Sequence, residues 1–427
     1  MHRFTRLLAS ANVIFALALI TRLIYLLILR SAEPPHLVAF AYGGESGSIA
    51  ASIATGKGFS SPLSAPSGPT AWITPVFPYL LAAIFKLFGV FSVRSYYAIR
   101  LVNIFFSAAT VFPISFMAKR LFGTATAILS GWIWIFLPTG IYFPVVWVWD
   151  MSLTALVLAT ALWLTCKIER RTESAWWAGF GCLWGFAILV NAAAITLVVP
   201  CFAFALYRLS KGSGLWPRRS LLAGLAFALT LAPWIVRNEI LFHGQVALRS
   251  NFGLELWLGN NPEVPDTWSW WLHPTGSAKE YVEFFRVGEV AYMQEKKQQA
   301  WEFIKTHPAD VARFEFHRFL QTWTGETDSF WDIWATGSLR LRAEVLWNYS
   351  LTLLMLFGLL GAYRRDPLGS LPLLSAIVLF PIPYYICHTD PRYRHPIDPI
   401  IVMLAALACC QLAKRFGILR SGSPDDL

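Results

Sequence analysis

Residues 76–91 read VFPYLLAAIFKLFGVF, an apolar run of 16 residues that follows Pro75, carries Pro78 near its start and holds Lys86 inside it. Whether this run crosses a membrane sets the orientation of everything after it. That a membrane is involved follows from composition: of 427 residues, 56% are hydrophobic, 15% aromatic and only 14% charged, against roughly 25% charged in an ordinary soluble domain. Ten longer apolar stretches lie near 11–29, 98–117, 124–142, 151–167, 176–190, 192–207, 220–236, 348–363, 370–386 and 398–413. Suppose 76–91 stays out of the bilayer. Then Arg3, Arg6, Lys119, Arg120, Lys167, Arg170, Arg171, Arg208, Lys211, Arg218, Arg219, Arg364, Arg365, Lys414, Arg415 and Arg420 share one side, sixteen of the 35 Lys and Arg. If the run crosses, only the N-terminal pair is cytoplasmic and every later cluster faces outward, against the positive-inside rule. The run is therefore expected to be a helix lying at the outer interface.

The expected fold is an all-α polytopic membrane protein of about ten transmembrane helices, N-in and C-in. An N-terminal transmembrane module takes residues 1–236 and includes an interfacial, helical first external loop at 30–97. A small helical external (periplasmic) cap takes 237–347, and C-terminal transmembrane helices take 348–427. The first apolar run has no A-x-A-like site after it and is read as the first helix.

The formal charge of +10 does not mark a nucleic-acid binder, because the excess sits in short segments between spans. The cap segment holds 15 of the 25 acidic residues against 11 Lys and Arg. Six Cys fall in or beside apolar stretches without a C-x-x-C pair and are read as small core residues. Gly56-Lys57 lacks the rest of a phosphate-binding loop, and no H-E-x-x-H or G-x-G-x-x-G occurs.

What remains is charge near the outer ends of helices, where burial is costly. Glu45 follows Tyr42-Gly43-Gly44 and precedes a small-residue helix; it is either a ligand or a residue that merely favours a helix N-terminus. Asp150 follows Trp147 and Trp149 and is either functional or a solvated cap. Arg237, Arg249, His388, Arg392, Arg394 and His395 form a cationic set suited to an anion, with interfacial snorkelling as the rival reading. Arg22, inside the first span, is expected to face a polar cavity. Nine of the twenty Trp lie in 237–347, where they serve sugar stacking or core packing equally well.

The order of these features resembles the GT-C superfamily of integral-membrane glycosyltransferases, nearest its bacterial protein O-mannosyltransferase-like and aminoarabinose transferase-like branch. The residues that carry the likeness are Glu45 in the first external loop, Thr74-Pro75-Val76-Phe77-Pro78 opening the interfacial helix, Arg100, the stretch from Pro233 to Pro262, and Arg392-Tyr393-Arg394-His395-Pro396. The resemblance implies an inverting transfer of a sugar from a polyprenyl-phosphate-linked donor to a lipid, glycan or protein acceptor, at the outer face of the cytoplasmic (inner) membrane. It implies Glu45 as general base and Asp150 as a second acid. Arg237, Arg249, Arg392 and Arg394, with Lys57 and His388 behind them, are then candidates for the donor phosphate. A divalent ion, Mg or Mn, if used, would be held by Glu45 and Asp150.

Two departures stand out. Relatives often carry an Asp-Glu pair where this chain has Gly44-Glu45, and Asn191 stands where many carry a basic residue. Competing readings are an O-antigen polymerase or ligase using a diphosphate-linked donor, a lipid-linked-sugar transporter or flippase, and a non-catalytic assembly protein. A transporter would place its ionisable groups near the bilayer midplane between inverted repeats, whereas here they gather at the outer rim.

Overall fold

A computed structural model describes residues 9–32, 39–168, 173–211, 216–265, 267–325, 334 and 337–418. Among the described residues the chain is helical, with one isolated bridge between Ser60 and Pro69. The first half contains α1 (Ala11–Ala32), α2 (Glu45–Ala54), α3 (Val76–Phe88), α4 (Val93–Ala109), α5 (Val111–Phe122), α6 (Thr124–Phe136) and α7 (Pro138–Val146). Then come α8 (Met151–Cys166), α9 (Ser174–Val190), α10 (Ile195–Ser210) and α11 (Trp216–Phe242). The cap holds α12 (Phe252–Gly259), α13 (Ala278–Val287), α14 (Glu289–Thr306) and α15 (Pro308–Thr324). The chain closes with α16 (Leu339–Arg365), α17 (Leu371–Leu379), α18 (Ile382–Ile386) and α19 (Asp398–Arg415).

Among the described residues, six helical stretches are long and apolar enough to cross a bilayer: Ala11–Leu29, Val93–Phe122, Ala192–Ser210, Trp216–Phe242, Arg342–Arg365 and Pro391–Arg415. A seventh is α6 with α7, bent by 46°. The bend follows from Pro138, which drives the preceding Leu137 out of the helical region to φ −61°, ψ 116°. By length alone six or seven of the ten expected spans qualify, and the stretches at 151–167, 176–190 and 370–386 fall on shorter apolar helices.

The deciding run becomes α3, whose 13 residues reach only about 20 Å at 1.5 Å per residue, short of a hydrocarbon core of about 30 Å. Pro78 is tolerated because the first turn has no intrahelical acceptor for its missing N–H. Phe77, Leu81, Ile84 and Phe85 are buried, while Tyr79, Leu87 and Phe88 are exposed. The next span starts cleanly: Ser92 and Ser95 form a reciprocal capping box at the head of α4.

Basic side chains tie helix ends together at the end of the bundle opposite α3. Arg120 Nε donates to the Cys166 carbonyl at 3.2 Å, and Arg208 lies 3.6 Å from Asp366. Arg3, Arg6, Arg170, Arg171 and Arg420 lie outside the described residues. Arg22 is fully buried, yet it meets protein and not an open cavity. It donates to Ser107 Oγ at 2.9 Å and to the Ala18 and Trp134 carbonyls at 2.9 and 3.1 Å. Of the cysteines, Cys166, Cys201, Cys387 and Cys410 are buried as expected, but Cys182 is exposed on α9.

At the α3 end the first loop and the cap share one hydrophobic core. Tyr42, Ile49, Trp72, Leu81 and Phe85 pack in the same cluster as Leu254, Trp257, Phe284, Tyr292 and Met293. Polar staples reinforce it. Glu289, at the head of α14, accepts from Thr70 Oγ1, from Ala71 N at 3.0 Å and from Ser250 Oγ at 2.6 Å. Burial pushes the Glu289 carboxyl up, and these three donors oppose that. A buried pair, Lys296 Nζ to Glu280 Oε2 at 2.6 Å, stands with Lys296 over the Trp257 ring at 3.8 Å. Arg318 on α15 is buried and donates only to main-chain carbonyls: Thr267 at 3.0 Å, Tyr385 at 2.9 Å, Ile386 at 3.2 Å, and Gly259. Burial lowers its pKa to about 10.

Candidate active site

The first loop docks through Gly43 and Gly44, at φ 98° and 53°. A Cβ at Gly43 would lie 2.4 Å from the Val148 carbonyl oxygen, so only glycine lets the backbone press against the Trp147–Asp150 segment. This contact delivers Glu45, the first residue of α2, to the mouth of α8. Trp147 and Trp149, from the same segment, together with Tyr393 surround the Arg392 guanidinium at 5.1, 5.0 and 5.0 Å. Arg392 is near enough to Glu45 for their charges to interact. Its backbone N–H donates to Asp390 Oδ1 at 3.0 Å, which caps the 3-10 turn Pro391–Ile397.

Asp150 is half-buried one residue beyond Trp149. It sits at the N-cap of α8 without capping it. Its Oδ2 accepts from Asn191 Nδ2 at 2.9 Å and from Thr154 Oγ1 at 3.1 Å. Burial raises its pKa against the opposing pull of Asn191, Thr154 and the Arg249 charge. Arg249 Nε in turn donates to Asn251 Oδ1 at 2.6 Å, and its Nη2 stands 3.6 Å from Glu255 Oε1. Glu255 Oε2 meets His388 Nε2 at 2.6 Å. Burial alone would raise the Glu255 carboxyl, but the hydrogen bond and charge of His388 and the charge of Arg249 bring it down to about 2. The His388 ring stacks on Trp268 at 4.7 Å, and Tyr393 stacks on Tyr384 at 4.6 Å.

Glu45, Asp150, Arg249, His388 and Arg392 are thus linked around one mouth. The other three residues named from the sequence do not join them. Arg237 is spent on the fold: it donates to the Thr70 and Phe59 carbonyls at 3.0 Å each and packs against the Phe59 and Trp234 rings, which meet each other at 4.8 Å. Arg394 is buried against Asp398 at 3.2 Å and donates to Asn348 Oδ1 at 3.0 Å. Neighbouring His395, also buried, pairs with Asp398 at 2.9 Å. Lys57 is exposed on the turn after α2. Residues the sequence did not single out are Glu255, His273, Asp390 and Tyr393. Only Glu255 carried a signal, one helical turn beyond Asn251 at the entry of α12, where Asn251 Nδ2 donates to it at 2.5 Å.

Two buried polar atoms in the site make no hydrogen bond within the protein among the described residues: Arg392 Nε, which lies 3.6 Å from Asp390 Oδ1, and His388 Nδ1. Buried polar atoms left unpaired are costly, so they point to a ligand. A divalent ion fits less well. Among the described residues no three His, Cys, Asp or Glu side chains converge. Asp150 is engaged by Asn191 and Thr154, and Glu45 faces His273 at 3.7 Å.

Residues 69–236 match the family described as dolichyl-phosphate-mannose-protein mannosyltransferase. No curated protein matches the chain. Among solved structures, the archaeal oligosaccharyltransferase AglB from Archaeoglobus fulgidus, in complex with an inhibitory peptide and a dolichol-phosphate, superposes with TM-score 0.56 at 14% identity. That alignment covers 96% of this chain and 51% of AglB. The Archaeoglobus fulgidus oligosaccharyltransferase in complex with Zn and sulfate gives TM-score 0.55 at 14% identity, covering 95% of this chain and 50% of the other. ArnT from Cupriavidus metallidurans in the apo state gives TM-score 0.49 at 15% identity, over 93% and 61% of the two chains, and carries no weight here. The chain spans about half the length of the oligosaccharyltransferases it matches. At these identities the agreement is one of architecture, and it is the one the first loop and the Pro233–Pro262 stretch resembled: this chain is a multi-pass membrane protein with the GT-C fold of integral-membrane glycosyltransferases.

Proposed function

We propose that this protein is an inverting glycosyltransferase that takes a sugar from a polyprenyl-phosphate-linked donor and gives it to an acceptor hydroxyl or amine at the outer face of the cytoplasmic membrane. The observation that carries the reading is the linkage of two acids, Glu45 and Asp150, with Arg249, His388 and Arg392 at one mouth, at the opposite end of the bundle from the basic helix ends. The dolichol-phosphate in the AglB complex supports the choice of donor class.

In this mechanism Glu45 removes the proton from the acceptor as its oxygen or nitrogen attacks the anomeric carbon. The bond from that carbon to the phosphate oxygen breaks, and the lipid phosphate leaves with the electron pair. Arg392, whose Nε makes no hydrogen bond within the protein, takes the charge that develops on the leaving oxygen. The aromatic walls around Arg392 exclude water and strengthen that attraction. Asp150 and Asn191 line the acceptor side, and no step passes through a metal.

The test is a comparison of membrane and envelope glycans by mass spectrometry in cells with and without the protein. Restoring wild-type chain should restore the missing sugar, while Glu45→Gln, expressed to the same level, should lower its formation by about 10² to 10⁴-fold, the usual worth of a general base. Normal glycans with Glu45→Gln would remove Glu45 from the mechanism. Transfer from a diphosphate-linked oligosaccharide in place of the monophosphate would favour a polymerase or ligase.

A further inference from the structure

His273 stands beside Glu45 and has no part in the mechanism above. Its Nε2 lies 3.7 Å from Glu45 Oε1, with the two side chains 15% and 16% exposed. The opposite ring nitrogen settles what Nε2 carries. Nδ1 accepts the backbone N–H of Thr275 at 3.1 Å, and the Thr275 hydroxyl lies 2.7 Å away. A nitrogen that accepts an N–H bond presents its lone pair, so the proton of the neutral ring sits on Nε2 and faces the carboxylate.

The surrounding loop holds this arrangement. The His273 N–H donates to the Trp270 carbonyl at 3.0 Å, and the His273 carbonyl accepts from Gly276 and Ser277 at 2.7 and 2.9 Å. Upstream, Ser269 N and Oγ bond the Leu258 carbonyl at 2.9 and 3.0 Å, which anchors the loop to the end of α12. The buried Trp72 from the first loop meets the imidazole at 5.8 Å and 77°. The cap thus sends one fixed ring across to the first loop's acid.

We propose that His273 is a positioning residue for Glu45. Its Nε2–H holds one carboxylate oxygen as the site closes on substrate and leaves the other oxygen's lone pair directed at the acceptor proton. The 3.7 Å separation is one that shortens to a hydrogen bond in the reactive complex, as catalytic contacts commonly do. This role rests on the reading of Glu45 as the base. It makes the cap part of the catalytic apparatus.

Two measurements test it on the full-length protein in membranes. Solid-state ¹⁵N spectra of histidine-labelled protein at pH 8, with His273 assigned by the signal lost in His273→Gln, should show a neutral ring protonated at Nε2. Protonation at Nδ1, or at both nitrogens, overturns the proposal. In the glycan assay, His273→Phe, which keeps the packing on Trp72, should slow product formation about tenfold or more. His273→Gln, which retains an N–H donor, should recover most of it. Wild-type rates with His273→Phe, or equal losses for Phe and Gln at matched expression and melting temperature, overturn it as well. Glu45→Gln separates the two ideas: an inactive Glu45→Gln beside an unimpaired His273→Phe removes only the role of His273, whereas an active Glu45→Gln removes the base itself.

Discussion

His388 at 2.6 Å and Arg249 at 3.6 Å keep Glu255 ionised far below the ordinary carboxylate range, overcoming the burial that would otherwise raise it. A depressed carboxyl contributes stability that is fully present above its ordinary value near 4.5 and is lost as pH falls toward about 2. Glu255→Gln is therefore expected to lower the melting temperature of the detergent-solubilised protein at pH 7 by more than at pH 3; an equal drop at both would contradict the assignment. Individual residues were legible in the sequence when cost exposed them. Glu45 and Asp150 stood out because acids beside apolar helices are expensive. Arg237 and Arg394 stood out for the same reason and were misplaced in the site, because a sequence shows where a guanidinium is but not whether carbonyls or a ligand take its protons. His273 lay in a Trp-rich polar loop with no cost signal, and only the three-dimensional path of that loop reveals its partner.

Among the elements, α2 depends on a turn that no side chain can replace. Gly43→Ala puts a methyl 2.4 Å from the Val148 carbonyl at a φ of 98°, a strain of roughly 1–3 kcal/mol. The expected outcome is withdrawal of Glu45 from Arg392, read as at least a tenfold loss of glycan formation with a modest fall in melting temperature. An unchanged rate would show that the loop does not need this contact. The shortness of α3 was readable from the length of its apolar run and the two prolines. The division of the remaining apolar runs was less so. Hydropathy marks 151–167 and 176–190 but not where their helices stop: α8 and α9 have 16 and 17 residues, and α8 still runs from Asp150 at the mouth to Cys166 beside Arg120. The bend between α6 and α7 was written in Leu137-Pro138, but its 46° is set by packing.

For the whole molecule, sidedness is the property that can be checked most directly. Lys57→Cys on the turn after α2 is expected to react with a membrane-impermeant maleimide in intact cells. Lys211→Cys, at the opposite end of α10, should react only after permeabilisation. Reaction of both from one side would dismantle the orientation and with it the route of a lipid-borne donor to Glu45. The overall class was evident from composition and the positive clusters. The common core of loop and cap was not, because its partners, Trp72 and Trp257 among them, lie far apart in sequence.

Arg318 holds Thr267, Gly259, Tyr385 and Ile386 by their carbonyls alone. A clasp of that kind recognises backbone geometry and is indifferent to side-chain identity. The spacing between Glu255 and His388 is thereby decoupled from the chemistry of the residues that line the mouth. Exchanging those lining residues is accordingly expected to leave the distance between Glu255 and His388 unchanged.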